Sequence, residues 1–431
     1  MDLKVDVGGL TLKNPFIAGG GPLAGTVDHI RRCVDSGLGG VVTKTASTVW
    51  YLQRYPRPHY LLLDYKKDAS DPFFVPESYF WMHREHNSSY PPMQFAKIIA
   101  EAAPYAKEKN CAIIGNFSAR FPDEWVEIAT AYEAAGCSAL ELNFCCPFPP
   151  EGLAKSPADN HVGIYYSQHP DEAIEVLQKI KAAVKIPVWV KLSPDGSNFV
   201  QTAKKFYEAG ASGITMFANG KTVRVDIETG EPRLHGATAG TGPGIKGIGM
   251  RWTAEVAAAC DIAVLGNRGL STWQDAVEFI MAGADAVEYC SPLMIHGLGY
   301  VQKLIDGLSA FMERKGYQSV ADFHDMALNR MYSNTDMVEK VKALCAEIDT
   351  RLCIGCGRCN EVCCYDAIRF VKKATMRKEN CAGCTLCMQL CPANAISMRA
   401  RENDNEHFRA MYAAHKDLAP PDVFGGADGN A

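Results

Sequence analysis

The sequence predicts an α/β chain: a TIM (β/α)8 barrel followed by a small α+β domain. Three observations predict it. Short apolar runs alternate with amphipathic stretches over roughly the first 300 residues, which is the size of one such barrel. Eight of these runs are strand candidates, and several of the intervening helical stretches end in Ala-Gly, a helix stop ahead of the next strand. Beyond them, cysteines fall into two runs of one fixed spacing. An open doubly wound sheet is the alternative arrangement for the same alternation, but eight strand-then-helix units fit a closed barrel better.

In chain order, the strand candidates are residues 15–18, 40–44, 112–116, 139–143, 188–192, 213–216, 262–266 and 286–289. Runs such as Gly40-Val41-Val42-Thr43 and Val188-Trp189-Val190 are β-branched or aromatic and lack polar alternation, as expected of parallel strands covered on both faces. The helical stretches include 124–135, 171–184, 200–209, 253–259 and 272–281. Two loops exceed the usual few residues. Residues 47–92 carry Trp50, Tyr51, Tyr55, Tyr60, Tyr65, Phe73, Phe74, Tyr79, Phe80, Trp81 and Tyr90, with His83 and His86. That density suits a packed excursion or an interface, with a substrate box as the alternative. Residues 147–169 follow the strand ending at Asn143 and are a lid candidate. The expected division is a barrel over 1–310, a helical linker over 311–345, the cysteine domain over 346–398 and a tail over 399–431.

Length and composition bound the function. The 431 residues, 47% hydrophobic, suffice for one large core and one small one. A net charge of −5 without a basic run gives no electrostatic footprint for nucleic acid. The N-terminal Met1-Asp2-Leu3-Lys4 lacks the apolar core of a signal peptide, and no long uncharged stretch reads as a membrane span, so the expectation is a cytoplasmic protein with no membrane partner. The chain has 17 cysteines, and those outside the two runs form no paired framework, which suits a reducing compartment.

Cys353, Cys356, Cys359 and Cys363, then Cys381, Cys384, Cys387 and Cys391, each follow C-x2-C-x2-C-x3-C. This is the bacterial-type ferredoxin spacing, in which three thiolates hold one cubane and the fourth reaches across to the other. Two [4Fe-4S] clusters are the direct reading. Zinc knuckles or disulfides are the alternatives, but zinc needs only four ligands and does not require this third cysteine followed by x3 and Pro392. Cys364 stands where Pro usually follows the fourth ligand.

Barrel catalysis occurs at the C-terminal ends of the strands. The polar residues there are Lys44, Asn116, Asn143, Lys191, Thr215 and the Asn267-Arg268-Gly269 turn. Joined to one-electron clusters, such a barrel needs a group that converts single electrons into a pair or a hydride, and flavin is the usual converter.

Asn14-Pro15-Phe16, Thr43-Lys44-Thr45, Glu141-Leu142-Asn143-Phe144-Cys145-Cys146-Pro147, Lys191-Leu192-Ser193-Pro194 and Gly244-Ile245-Lys246-Gly247, with Arg251, resemble the FMN barrel of the dihydroorotate and dihydropyrimidine dehydrogenases. Barrel first and two-cluster ferredoxin second is similar to the bacterial FMN/iron-sulfur subunit of dihydropyrimidine dehydrogenase. The resemblance implies FMN, with Lys44 and Lys191 beside its ring. It also implies that Thr45, Asn116, Asn143 and Thr215 bond flavin or substrate, and that Gly244, Gly247, Asn267, Arg268 and Gly269 lie around its phosphate. Its lid cysteine or serine, the general acid, aligns with Tyr166, leaving Tyr166 as the candidate acid and Tyr165, Ser167 and His169 as alternatives. An Asn-Thr pair of the pyrimidine enzymes is Ala218-Asn219 here, after Phe217, which would serve a pyrimidine's polar edge poorly.

The implied function is oxidation or reduction of a C–C bond beside a carbonyl in a small cyclic substrate. No G-x-G-x-x-G follows a strand near the start of the chain, so electrons would pass through a ferredoxin or an NAD(P)H-oxidising flavoprotein subunit, in a homo- or hetero-oligomer. A non-catalytic electron-transfer or scaffolding subunit is one alternative. A phosphate-binding aldolase or isomerase barrel using Lys191 as a Schiff base is another.

Overall fold

The computed structural model describes residues 1–49, 53, 58–66, 70, 76, 78–85, 87–146, 161–193, 198–216, 220–236, 238–331 and 342–401. The chain divides into two compact units, Met1–Arg330 and Met331–Ala431.

In the first unit eight parallel strands close on themselves: β1 (Phe16–Ala18), β2 (Gly40–Val42), β3 (Ala112–Ser118), β4 (Ala139–Asn143), β5 (Val188–Lys191), β6 (Gly213–Thr215), β7 (Ala263–Gly266) and β8 (Ala286–Tyr289). Closure is made where β8 pairs with β1, Glu288 level with Ile17, and where β2 pairs with β3. All eight expected strands are present, and the closed ring excludes the doubly wound sheet.

Helices α1 (Val27–Asp35), α2 (Pro92–Glu108), α3 (Pro122–Ala134), α4 (Pro170–Ala183), α5 (Phe199–Glu208), α6 (Lys246–Ala259), α7 (Trp273–Met281) and α8 (Tyr300–Lys315) follow the strands in turn. Their starts are written in the sequence: Thr26 accepts from the His29 N–H, and Thr272 forms a capping box with Asp275.

Alternation along each strand sorts the side chains into two sets. Val41, Ile113, Leu140, Leu142, Val190, Val264 and Val287 face outward into the core under the helices. Ile17, Val42, Ile114, Ala139, Trp189, Leu265 and Ala286 face the barrel axis. Val7 and Leu12, from a hairpin of Val5–Val7 and Leu10–Leu12, join that inner layer and stopper the N-terminal end. Each fully buried aliphatic or aromatic side chain there contributes about 1.5–3 kcal/mol. One step of two residues further along every strand but β1, where Gly19 stands, the axis is polar.

The aromatic excursion is a sheet. His59–Leu63 pairs with Phe80–Arg84, which pairs with Ala239–Thr241, which pairs with Gly220–Lys221, all antiparallel. The two contributing insertions leave the barrel after β2 and β6, so this cap belongs to the C-terminal, catalytic end. Tyr60 stacks on Trp81 at 5.1 Å, and Tyr79 bonds Ser271 at 2.8 Å. Trp50, Tyr51, Tyr55, Phe73, Phe74 and His86 lie outside the described residues, as do 147–160 of the lid candidate, Phe217-Ala218-Asn219 and the tail from 402. Residues 311–330, expected in a linker, instead form the end of α8 and two short 3-10 turns, with Phe311, Met312, Val320 and Phe323 buried in the barrel's outer core. Among the described residues no helix is long and apolar enough to cross a membrane.

The second unit is built from the antiparallel pair Leu344–Ile348 and Ile396–Ala400, the hairpin Ile368–Phe370 and Ala374–Met376, and two short helices, Arg358–Glu361 and Leu386–Gln389. Gly355 must be glycine, because at φ 73° a Cβ would lie 2.6 Å from the Lys372 carbonyl oxygen.

Candidate active site

The polar layer begins where the apolar plug ends. Glu141 lies two residues beyond Ala139 on β4, Lys191 two beyond Trp189 on β5, Glu288 two beyond Ala286 on β8, and Asn116 two beyond Ile114 on β3. Lys191 Nζ sits 3.1 Å from Glu141 Oε1 and 2.8 Å from Glu288 Oε2. Glu141 also accepts from Asn116 Nδ2 and from Thr215 Oγ1, the latter at 2.6 Å. Burial raises the Glu141 carboxyl, but the Lys191 charge, with the hydrogen bonds of Thr215 and Lys191, outweighs it and holds it below the usual carboxylate range. Burial likewise works against the Lys191 ammonium, and the Glu141 and Glu288 charges reverse this, holding it well above its ordinary value.

Asn143 is a strut. Its Nδ2 donates to Thr45 Oγ1 at 2.9 Å and Asn116 Oδ1 at 3.2 Å, while its Oδ1 accepts the N–H groups of Cys145 and Cys146. Thr45, Asn116, Asn143, Lys191 and Thr215 are therefore one connected network, joined through Glu141.

Lys44 belongs to a second group. Its Nζ lies 3.0 Å from Glu85 Oε1, and the Tyr60 hydroxyl donates to the same carboxylate. Both partners come from the cap sheet. Burial pushes the His83 imidazole down to about 4, Glu85 opposing, so it is neutral at pH 7. Cys290, just past β8, is raised to about 11 by burial, against the pull of Lys44.

Late in the barrel, the 3-10 turn Pro243–Ile245 leads into α6. Cβ atoms built at Gly244 and Gly247 would meet nothing within 4 Å, leaving open space over the helix start. The Asn267-Arg268-Gly269 turn packs against it backbone to backbone. Gly269 is left-handed at φ 77°, and a Cβ there would lie 2.6 Å from the Lys246 backbone nitrogen. Arg268, at φ 80°, takes a conformation glycine favours, and its guanidinium reaches the cap strand at Gly220. Asn267 Oδ1 is buried and lacks a donor among the described residues. An open cradle at a helix start, lined by glycines that let a ligand approach the backbone, fits a phosphate-bearing cofactor.

Tyr166 is placed elsewhere. It is 3% exposed, its hydroxyl donates to the Arg120 carbonyl at 2.7 Å, and its ring packs on Trp125 and Phe144 in the outer core. Burial raises its phenol to about 12. This corrects the expectation of an acid over the substrate, because the phenol's one proton is committed to a backbone carbonyl within the core. Tyr165 stacks between His161 and His169 and donates to Glu172, and Ser167 donates to the Phe144 carbonyl. Tyr166→Phe is expected to cost about 0.5–1.5 kcal/mol of stability, read as a lowered unfolding temperature, with unchanged turnover. A loss of turnover out of proportion to that would restore the acid role.

Sequence reasoning singled out neither Glu85 nor Glu288, and it named Tyr60, His83 and Glu141 only within longer stretches, without a role. For the two barrel acids a signal exists: each interrupts a buried apolar strand at the parity of the axis-facing residues. Nothing local marks the cap residues.

In the second unit the cysteines ring two cavities. One, of about 360 Å³, is lined by Cys353, Cys356, Cys359 and Cys391. The other, of about 340 Å³, is lined by Cys363, Cys381, Cys384 and Cys387. Each run lends its fourth cysteine to the other cavity, as the spacing implies. Ile348, Ile354, Phe370 and Ile396 wall the first, and Ile368, Met376 and Met398 the second. Four thiols around an apolar cavity fit a cubane cluster.

Known proteins match both units. A family model described as dihydroorotate dehydrogenase matches residues 91–312, and one described as a 4Fe-4S dicluster domain matches 346–398. The catalytic subunit of dihydroorotate dehydrogenase B (NAD(+)) from Pyrococcus abyssi is 29% identical over 328 residues, covering 76% of this chain and 99% of that protein. Its counterpart from Methanocella arvoryzae is 30% identical over 319 residues, 73% of this chain and 94% of that protein. That from Geobacillus kaustophilus is 37% identical over 193 residues, 44% and 58% of the two chains. With a closed barrel, a polar ring over its plug and a cradle at its late turns, the chain belongs to the dihydroorotate dehydrogenase family of flavoproteins and carries a 4Fe-4S dicluster domain.

Proposed function

We propose that this chain is an FMN- and iron-sulfur-dependent oxidoreductase of the dihydropyrimidine dehydrogenase-like type. It oxidises or reduces a C–C bond beside a carbonyl in a small, uncharged cyclic substrate. The observation that carries this reading is the Lys191-centred polar ring beside an open phosphate cradle, in a chain that also holds two four-cysteine cavities. Bound FMN supplies the conversion between single-electron and two-electron steps. Gly244, Gly247, Asn267, Arg268 and Gly269 hold its phosphate. Lys44 and Lys191 would stand beside its ring, each paired with its own carboxyl partners. Asn116 and Thr215 hold Glu141 and through it Lys191, and Thr45, Asn116, Asn143 and Thr215 bond flavin or substrate. With Tyr166 committed to the core, His83 and Cys146 are the proton-transfer candidates among the described mouth residues.

An uncharged substrate follows from the ion pairs. Lys44 is matched by Glu85, and Lys191 by two carboxyls, so neither lysine offers an unshared positive charge to a substrate carboxylate. Among the described residues, a carboxylate brought into this buried layer would lose its water without a cation of its own. In this respect the mouth suits a dihydropyrimidine better than dihydroorotate, which carries a carboxylate.

Two [4Fe-4S] clusters, one per cavity, exchange electrons with a ferredoxin or an NAD(P)H-oxidising flavoprotein subunit. The relatives' name, catalytic subunit, supports such a partner, and a homo- or hetero-oligomer in the cytoplasm is the expected form.

Photoreduced protein offered a panel of compounds tests the reading. Uncharged cyclic enones and pyrimidines are expected to reoxidise the flavin, and orotate and aromatic acids are not. Glu85→Gln should raise affinity for the carboxylates about tenfold. If no compound reoxidises the flavin faster than buffer does, the chain is an electron-transfer subunit and the catalytic reading fails.

A further inference from the structure

Two carboxyls and one ammonium meet at the floor of the mouth. Glu141 comes from β4 and Glu288 from β8, yet both reach Lys191 on β5, and none of the three is more than 8% exposed. Lys191 bridges the two carboxyls, and with both ionised a single ammonium would face two buried negative charges, which favours a proton on one of them. The donors are shared unequally. Glu141 receives Lys191, Asn116 and Thr215, whereas Glu288 receives Lys191 and a long 3.4 Å contact from Asn267, and its Oε1 has no donor among the described residues. Glu141 is therefore the carboxylate and Glu288 the acid. Burial first, and the Glu141 charge second, raise Glu288 to about 8, with Lys191 opposing. The other titratable groups facing this set are Cys145 and Cys146 after β4, and Cys290 after β8 with Lys44 and Glu85 beyond it.

We infer that Glu141 and Glu288 hold one exchangeable proton between them, taken up when negative charge arrives beside Lys191 and released when that charge leaves. The inference rests on the FMN reading of the barrel. Lys191 is the only lysine in contact with the pair among the described residues. When a further negative charge draws on that ammonium, the carboxyls lose part of their counter-ion, and a solvent proton converts one carboxylate to carboxylic acid. No electron passes through the pair. Glu288 is thus a positioning residue that sets how strongly flavin reduction is linked to proton uptake.

Glu288→Gln keeps the shape and fixes the neutral form. In the holoprotein, the flavin midpoint potential of wild type and variant should fall in parallel below about pH 8, where the pair already holds its proton. Above it the wild type should fall more steeply, and the variant should lose that extra slope. Superimposable profiles would overturn the inference. Glu141→Gln, which leaves Glu288 as a lone carboxylate on Lys191, must also lose the slope and serves if the first variant does not fold. Infrared difference spectra of the flavin-free protein give a second readout. A carboxylic C=O band sensitive to D2O, lost in Glu288→Gln, supports the shared proton, and its absence from the wild type refutes it. Failure to bind FMN at all would refute the flavin reading while leaving the infrared test standing.

Discussion

Replacing Lys191 with Met should destabilise the barrel unit by about 3–5 kcal/mol, the cost of stripping a buried carboxylate of its partner. Glu141 would remain 0% exposed, with only the neutral donors of Asn116 and Thr215. Thermal unfolding followed by far-UV circular dichroism reads this effect. The double variant Lys191→Met, Glu141→Gln separates charge from shape, because it removes the stranded carboxylate and should recover most of the loss. A single variant within about 1 kcal/mol of wild type would mean that the three groups do not form a charge network. pH sharpens the expectation. Glu288 has a raised native pKa, so its proton-bound form contributes stability below the ordinary carboxylate pKa of about 4.3, and that contribution is lost as pH rises towards about 8. Relative to Glu288→Gln, the wild type should therefore lose stability across that window.

The second large effect is expected in the cysteine domain. Cys384→Ala removes one wall of the cavity shared with Cys363, Cys381 and Cys387. About half of the bound iron should be lost. Turnover driven by an external electron donor should stop, while photoreduced flavin keeps its reaction with substrate. Retention of all the iron would show that Cys384 is not a ligand. The contrasting substitution is Cys364→Ala: this exposed cysteine lines neither cavity, and its loss should leave the iron content unchanged.

The barrel was legible because parallel strands covered on both faces read as unbroken apolar runs, and Val41-Val42 or Trp189-Val190 leave no other assignment for a short segment between helices. The crossed cysteine sets were legible for a different reason: the ligand spacing is fixed by the size of the cluster. Glu141 and Glu288 were harder. A lone acid in an apolar run shows its meaning only once the partner on another strand is known, and Lys191 sits 50 residues from one and 97 from the other. The cap was illegible, since Phe80–Arg84 finds one partner in the hairpin and the other in Ala239–Thr241, beyond β6. Tyr166 shows the limit of alignment. Its place in the chain matches a lid acid, but three dimensions put it between Trp125 and Phe144, where hydrophobic packing and the Arg120 carbonyl decide its role.

The central claim is that one chain carries a flavin barrel together with two cubane clusters. Protein purified without oxygen and assayed for flavin, iron and acid-labile sulfide tests it most directly. The account predicts one FMN with about eight iron and about eight sulfide per chain, and a flavin band over the iron-sulfur absorption. Absence of flavin after incubation with FMN, or about four iron per chain at full occupancy, would contradict it.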